Sequence, residues 1–138
     1  MKINIKLLHK NAVVPRYARH GDAGVDLSAV DIVADGTNLT YKTGIAVEIP
    51  NGYVGLLFPR SSVYKTGQTL TNCVGLIDSG YRGEIMMKFS LSPYGREYDI
   101  GDRIGQLVIM PYPEVEFEEV SELSVTKRGT GGYGSTGA

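Results

Sequence analysis

Residues 44–58 of the chain read GIAVEIPNGYVGLLF, and this stretch indicates what kind of fold to expect. Two runs rich in Val, Ile and Leu lie on either side of Asn51-Gly52, a pair of residues that favours a tight turn. Runs of this composition and length are typical of β-strands, because branched and aromatic side chains suit a pleated, half-buried surface. We therefore expect one strand on each side of the turn.

The same pattern continues in both directions along the chain. Eighteen glycines and six prolines separate short apolar runs, and helix signals are scarce. We expect an all-β fold, a jelly-roll-like β-barrel of short strands with at most one short helix, which would follow Pro59. The predicted strands are Ile3–Leu8, Gly24–Ser28, Leu39–Lys42, Gly44–Glu48, Tyr53–Phe58, Gln68–Thr71, Gly75–Ile77, Glu84–Ser90, Gln106–Met110 and Glu114–Val120.

Length and composition exclude several classes of protein. The 138 residues fit one domain of ordinary size, with 42% hydrophobic and 21% charged residues. A net charge of −1 argues against a broad basic surface for nucleic acid, and no apolar run is long enough to cross a membrane. The single cysteine, Cys73, cannot form an intrachain disulfide and is interpreted as a small buried side chain. We expect a cytoplasmic protein, or one of the host cell cytoplasm if the source is viral.

The last eleven residues, 128–138, differ from the rest because they contain five glycines and almost no apolar side chain. Glycine loses much backbone entropy on ordering, so such a tail does not fold by itself. An arginine, an aromatic ring and a Ser-Thr pair nevertheless lie among the glycines. We expect a β-domain over residues 1–127 and, at 128–138, a flexible arm that closes over a bound nucleotide.

Five segments resemble the five motifs of the trimeric dUTPases, in the order and close to the spacing of that family. The resemblance covers positions 23 to 137, which is nearly the whole chain. One such motif would be weak evidence, whereas five in order are strong. The segments are Ala23–Ala29, Pro59–Ser62, Gly75–Gly83, Gly101–Leu107 and the glycine-rich tail.

The resemblance implies that the protein hydrolyses dUTP to dUMP and pyrophosphate with Mg²⁺, keeping uracil out of DNA and supplying dUMP for dTMP synthesis. It also implies a homotrimer whose active sites are shared between subunits. Arg60 and Ser61 would come from one subunit, residues 68–77 from a second and the arm from a third. Nucleic acid and membranes are not expected partners.

The resemblance assigns phosphate and metal contacts to three of the motifs and to the arm. Asp26 would hold Mg²⁺ through water, while the triphosphate itself binds most of the ion. Arginine offers a rigid fork of donors to phosphate, and serine hydroxyls also suit an anion, although Ser61 could simply cap a helical turn. The implied phosphate contacts are Arg60, Ser61, Ser62, Gln106, Arg128, Ser135 and Thr136. In the arm, Gly134 would also contact substrate, and Tyr133 would stack on the base where the family most often has phenylalanine.

The third motif is expected to carry the specificity and the chemistry. Residues 68–77 are predicted to form a β-hairpin whose backbone reads uracil, with Asn72, Gly75 and Ile77 as contacts. Tyr81 would pack against the sugar and leave no room for a 2′-hydroxyl. Asp78 matches the family's catalytic aspartate, which would orient or deprotonate the water that attacks the α-phosphorus.

Two alternatives remain open from the sequence. A dCTP deaminase shares the fold and the Arg-Ser-Ser segment, but where that family has its catalytic glutamate this chain has Lys88. A nucleotide-binding regulator would keep the binding residues without needing both Asp26 and Asp78. Asp102 and Arg103 are interpreted either as site residues or as a structural ion pair at a turn.

Overall fold

The computed structural model describes residues 1–134 of the protein. Ten β-strands and one short 3-10 helix, Ser61–Lys65, make up the regular structure of this part of the chain. No helix in it is long and apolar enough to pass through a bilayer. The strands are β1 (Asn4–Leu7), β2 (Val25–Ser28), β3 (Asp31–Asp35), β4 (Asn38–Lys42), β5 (Ile45–Glu48), β6 (Tyr53–Pro59), β7 (Gln68–Leu70), β8 (Gly75–Ile77), β9 (Met86–Leu91) and β10 (Arg103–Pro111).

The strands form two four-stranded sheets and one two-stranded ribbon, and all their pairings are antiparallel. One sheet has the order β2-β10-β6-β8, the other the order β3-β4-β9-β7, and β1 pairs with β5. Apart from the β3–β4 hairpin, the strands pair with partners that are distant in sequence, as in jelly-roll folds. The predicted all-β class is confirmed, and so is the scarcity of helix.

The core contains a cluster of three aromatic rings. The rings of Tyr41, Phe89 and Tyr98 meet edge to face, with centroids 5.6–6.1 Å apart. The Tyr41 hydroxyl is fully buried, and it donates to Oε1 of Gln68 at 2.9 Å while accepting from the Tyr98 amide at 3.0 Å. Gln68 in turn donates to the Arg96 carbonyl at 3.1 Å. This network joins β4, β7 and the loop before β10.

Most predicted strands are present, but one strand was missed and the last predicted strand is absent from the described structure. Strand β3 was missed, although Asp35-Gly36 is a turn signal that could have revealed the β3–β4 hairpin, and Gly36 has a φ of +61° there. The strand predicted at Glu114–Val120 is wrong, because that segment has no regular structure. Every residue from 111 to 130 is exposed, so this segment has no packing surface on its own chain.

The predicted hairpin at residues 68–77 is also wrong. Strand β7 pairs with β9 in one sheet, whereas β8 pairs with β6 in the other. Residues 71–74 are therefore a corner at which the chain passes between sheets. Cys73 lies in this corner with a φ of +59° and is exposed, contrary to the expectation that it is buried. Period-two alternation marks strands but does not say which sheet each one joins.

Replacing Tyr41 by Phe should lower the free energy of unfolding by about 1–3 kcal/mol, because a buried acceptor on Gln68 and a buried amide on Tyr98 lose their partner. Urea denaturation measures this change. The matched control is Tyr94→Phe, since Tyr94 is fully exposed and its substitution should leave the midpoint unchanged. Equal stability of the Tyr41 variant and the wild type would contradict the network's role.

Candidate active site

Two separate regions contain the residues that the sequence singled out. We call the first the basic end, formed by Asp26, Arg60, Ser61, Arg103 and Gln106. It lies where β6 ends and β10 begins, at one end of the β2-β10-β6-β8 sheet. The register places Gln106 between Asp26 on β2 and Phe58 on β6, with Arg60 just beyond. The fold thus brings together residues that are distant in sequence.

Asp26 organises the basic end. Its side chain is only 11% exposed and lies between two arginines, with Oδ2 2.9 Å from the guanidinium of Arg103 and Oδ1 3.6 Å from Nε of Arg60. The Asp26 carboxylate therefore holds two guanidinium groups side by side, so that both can present donors to an anion. The buried Oδ1 atom itself has no hydrogen-bond partner in the described part of the chain.

Arg103 and Asp102 do not form the structural ion pair considered from the sequence. Oδ2 of Asp102 instead accepts from the Asp99 amide at 2.9 Å and so closes a turn. Arg103 reaches across to Asp26, which is 77 positions earlier in the chain. Because this pairing depends on the β2–β10 register, no local signal could have revealed it.

The serines that follow Arg60 lie in the short 3-10 helix. Arg60 is the residue that caps this helix, and no side chain makes a capping hydrogen bond. Ser61 is exposed and Ser62 half-buried. The interpretation of Ser61 as a helix cap is therefore wrong. Its hydroxyl is left available to a ligand.

We call the second region the base end, formed by Asn72, Gly75, Ile77, Asp78 and Tyr81. A cavity of about 470 Å³ opens between the two sheets here, beside the corner where the chain changes sheet, and Asn72 and Gly75 line it. A Cβ on Gly75 would come within 2.9 Å of the Leu57 side chain, so glycine allows β8 to lie close to β6.

A compact loop follows β8 and holds Asp78 and Tyr81. The Tyr81 amide donates to the Asp78 carbonyl at 3.1 Å, and the Tyr81 hydroxyl donates to the Glu84 carbonyl at 3.0 Å. The ring of Tyr81 lies against Gly83, where any Cβ would overlap it. Asp78 is exposed, and Tyr81 is 40% exposed. Both side chains therefore face outwards and can meet a ligand.

The two ends do not meet within one chain. Asp26 is in register with Phe58 through Gln106, whereas Asp78 follows Ile77, which pairs with Gly55. About four residues along β6 and three strand spacings across the sheet separate the two carboxylates, which amounts to about 20 Å. The basic end and the base end are therefore separate within one chain.

Residues 128–134 of the arm form no side-chain hydrogen bond or salt bridge with either region within the described chain: Nε of Arg128 donates to the nearby Gly131 carbonyl, at 3.0 Å. Tyr133 is fully exposed and has a φ of +51°. Gly134 is the last described residue, and Ser135 and Thr136 lie outside the described residues.

The residue that bears on the deaminase alternative, Lys88, lies at the base end. Lys88 of β9 lines the same cavity as Asn72, and its carbonyl accepts from both the amide and the hydroxyl of Thr71. A cationic side chain thus occupies the place where the deaminase alternative requires a carboxylate.

The structure is thus an all-β sandwich with two arginines held side by side at one end of a sheet and a cavity between its sheets at the other. The dUTPase family model matches residues 10–137. The deoxyuridine 5'-triphosphate nucleotidohydrolase of Hydrogenobaculum sp. is 42% identical over 142 residues, which cover 99% of each protein. That of Thermobifida fusca is 43% identical over 142 residues, covering 99% of this chain and 79% of the relative. The chain belongs to the dUTPase family.

Solved structures agree with this membership. The dUTPase of Staphylococcus bacteriophage 80alpha, solved with dUpNHpp, has a TM-score of 0.86 at 32% identity over 99% of both chains. A dUTPase from phage phi11 of S. aureus has a TM-score of 0.75 at 31% identity, over 88% of this chain and 98% of that one, and is described with a coordinated structural Mg(II) ion. The phage 80alpha structure matches this chain over nearly its whole length, so the shared fold includes both the basic end and the base end.

Proposed function

We propose that this protein hydrolyses dUTP to dUMP and pyrophosphate, with Asp78 as the catalytic carboxylate and the basic end as the phosphate-binding surface. The observation that carries the proposal is the dUTPase match over residues 10–137. This range includes both the basic end and the base end. The relatives named above are dUTP nucleotidohydrolases, and the phage 80alpha enzyme was solved with a dUTP analogue.

Local charge suits this substrate even though the whole chain has a net charge of only −1. A nucleoside triphosphate carries close to four negative charges, which need concentrated positive charge at the site. Arg60 and Arg103 are held together by Asp26, and Ser61 is exposed beside them. Gln106 follows on β10, and Arg128, Ser135 and Thr136 of the arm are proposed to add further contacts.

The base end is proposed to select the nucleoside. The cavity beside Asn72 and Gly75 has a volume of about 470 Å³, enough for a flat ring between the sheets, and Ile77 continues the strand that forms its edge. Tyr81 is fixed by its hydroxyl to the Glu84 carbonyl, so its ring cannot easily move aside for a ribose 2′-hydroxyl. An unpaired hydroxyl and a steric clash would both oppose UTP.

Magnesium fits this site only as an ion that arrives with the substrate. Within residues 1–134, no group of three or more His, Cys, Asp or Glu side chains is placed to hold a metal ion. The unpartnered Oδ1 of Asp26 fits one contact to a metal-bound water, while the triphosphate would supply the remaining ligands. Bound Mg²⁺ would neutralise charge on the phosphates and on the departing pyrophosphate.

In the proposed reaction, water attacks the α-phosphorus in line with the departing pyrophosphate. Asp78 accepts a hydrogen bond from that water and takes up its proton as the new P–O bond forms. Its exposed carboxylate lies on a loop that is tied by the Tyr81 amide and hydroxyl, which limits its motion. Arg60 stabilises charge on the transferred group, as expected of a reaction that depends on positioning and electrostatics.

A complete site is proposed to require more than one subunit. The separation of about 20 Å between Asp26 and Asp78 is too large for one nucleotide's innermost phosphate to meet both. The exposed run from 111 to 130 includes Val115, Phe117 and Leu123, side chains that soluble proteins cover when they form a patch. A homotrimer with shared sites would cover this segment. It would also bring the basic end of one subunit to the base end of another.

Asp78→Asn should lower kcat by about 100-fold or more while leaving affinity for the non-hydrolysable analogue dUpNHpp nearly unchanged, because only proton acceptance is lost. Pyrophosphate release from dUTP, with dTTP, dCTP and UTP alongside, measures the effect. Asp35→Asn, in the exposed β3–β4 hairpin, is the matched control. Retained turnover in the Asp78 variant would reject the assignment.

Mixing two inactive variants tests the sharing of sites. Arg60→Gln and Asp78→Asn subunits, unfolded together and refolded in equal amounts, should regain about one quarter of wild-type activity, because that fraction of sites combines an intact Arg60 with an intact Asp78. Each variant refolded alone provides the baseline. Mixtures no more active than their components, or an active monomer in sedimentation, would contradict the shared site.

Deleting residues 128–138 should lower kcat by about 100-fold, because the nucleotide would no longer be covered and positioned. The denaturation midpoint should change little, since Arg128 and Tyr133 are exposed and the one side-chain hydrogen bond of Arg128 in the described chain stays within the arm. Tyr133→Phe keeps the π-face and should stay active, whereas Tyr133→Ala should not. Near-normal hydrolysis by the truncated protein would reject the role of a lid.

A further inference from the structure

The side chain of Arg82 closes the loop that carries Asp78. Its Nη1 atom donates to the Ser79 carbonyl at 2.6 Å and to the Tyr81 carbonyl at 2.9 Å. These two carbonyls lie on either side of Gly80, so one guanidinium nitrogen holds both sides of the turn. Neither the motifs nor the proposed reaction gives Arg82 a role of its own.

The same guanidinium fastens the loop to a distant part of the fold. Nη2 of Arg82 donates to Oε1 of Glu48, at the end of β5, at 3.3 Å. Oε2 of Glu48 accepts from the side-chain amide of Asn4 on β1 at 2.7 Å, and these two residues are register partners in the β1–β5 ribbon. Asn4 and Arg82 together lower the pKa of Glu48, so its carboxylate stays charged at neutral pH. A chain of hydrogen bonds thus runs from the ribbon through Arg82 to the loop.

The composition of this loop makes such a fastening important. Residues 78–83 include two glycines, and a side chain at Gly80 would meet no other atom within 4 Å. Glycine has the greatest backbone freedom, so a loop of this kind is loose unless other groups hold it. The Tyr81 hydroxyl binds the carbonyl of Glu84, only three positions away, whereas Arg82 reaches a strand 34 positions earlier. Arg82 therefore fixes the loop relative to the body of the fold.

We propose that Arg82 is a positioning residue, which fixes the loop so that the Asp78 carboxylate meets the attacking water and the Tyr81 ring meets the sugar. The inference rests on the proposed function, because that function assigns these tasks to Asp78 and Tyr81. Arginine suits the role, since its planar fork presents several donors in a fixed geometry to two carbonyls and a carboxylate at once. A small displacement of a reacting group lowers the rate strongly, so the contacts of Arg82 bear on turnover.

Stability should depend little on these contacts. The side chains of Arg82 and Glu48 are 52% and 51% exposed, and ion pairs with this exposure contribute little to the free energy of unfolding. The chain offers a matched control in the ion pair of Lys42 with Asp31, which is also 3.3 Å long and has side chains 36% and 49% exposed. Neither control residue belongs to the basic end or the base end. Lys42→Gln therefore removes the same charge and the same kind of ion pair as Arg82→Gln.

The experiment compares wild type, Arg82→Gln, Arg82→Lys and Lys42→Gln as full chains. It measures pyrophosphate release from dUTP and UTP, affinity for dUpNHpp and the denaturation midpoint. Arg82→Gln should lower kcat for dUTP about tenfold and weaken the preference for dUTP over UTP, while affinity for dUpNHpp stays within about twofold of wild type. Arg82→Lys should recover only part of the loss, because an ammonium group cannot reproduce the fork.

Three results would overturn the positioning role of Arg82. Full recovery by Arg82→Lys would show that only the charge matters. A loss of dUpNHpp affinity as large as the loss of kcat would make Arg82 a direct substrate contact. A kcat for Arg82→Gln equal to that of Lys42→Gln, with or without a lower denaturation midpoint, would leave Arg82 no part in turnover.

A double variant tests whether Arg82 acts through Asp78. In an Asp78→Ala background the group to be positioned is gone, so Arg82→Gln should lower the remaining turnover by less than about twofold. A further tenfold loss in that background would contradict the proposal. The proposed function is tested separately, since it fails if the wild type releases no pyrophosphate from dUTP. An active wild type matched by Arg82→Gln would reject only the positioning role.

Discussion

The antiparallel pairing of β10 with β6 is the constraint on which the rest of the molecule depends. Seven residue pairs, from Gly105↔Pro59 to Pro111↔Tyr53, fix the two strands against each other. A shift of one residue would turn every side chain of β10 to the other face. With β2 paired on the outer side of β10, this register sets Asp26 against Arg103 and Arg60. The arrangement of charged side chains at the basic end is thus a consequence of strand pairing.

The same ladder explains why the basic end and the base end are separate within one chain. Because β8 pairs with the opposite side of β6 and runs towards its other end, Asp78 lies at the end of the sheet opposite to the arginines. A small antiparallel sandwich exposes both ends of its sheet but has no depth in which to bring them together. The long exposed segment after Pro111 has the corresponding property, since its apolar side chains find no surface on their own subunit. Both features favour completion by another copy of the chain.

Two tyrosine hydroxyls in one aromatic cluster show how differently buried polar groups can serve a protein. The Tyr41 hydroxyl is satisfied on both sides, by Gln68 and by the Tyr98 amide, and it stabilises the fold. The Tyr98 hydroxyl is buried near Thr66 and makes no hydrogen bond of comparable geometry among the described residues. A buried polar group with partners on both sides contributes to stability, because its hydrogen bonds offset the loss of water.

The sequence by itself determined the strand class, the Asn51-Gly52 turn and the motifs of the family, because turn chemistry and alternation act between neighbouring residues. It predicted Asp26, Arg60 and Gln106 as site residues, and the structure places these three together. Only the tertiary structure decided that β7 and β8 join different sheets, that Arg103 pairs with Asp26, and that Glu114–Val120 forms no strand. Those outcomes depend on which distant segments pair, and pairing is settled by packing over the whole chain.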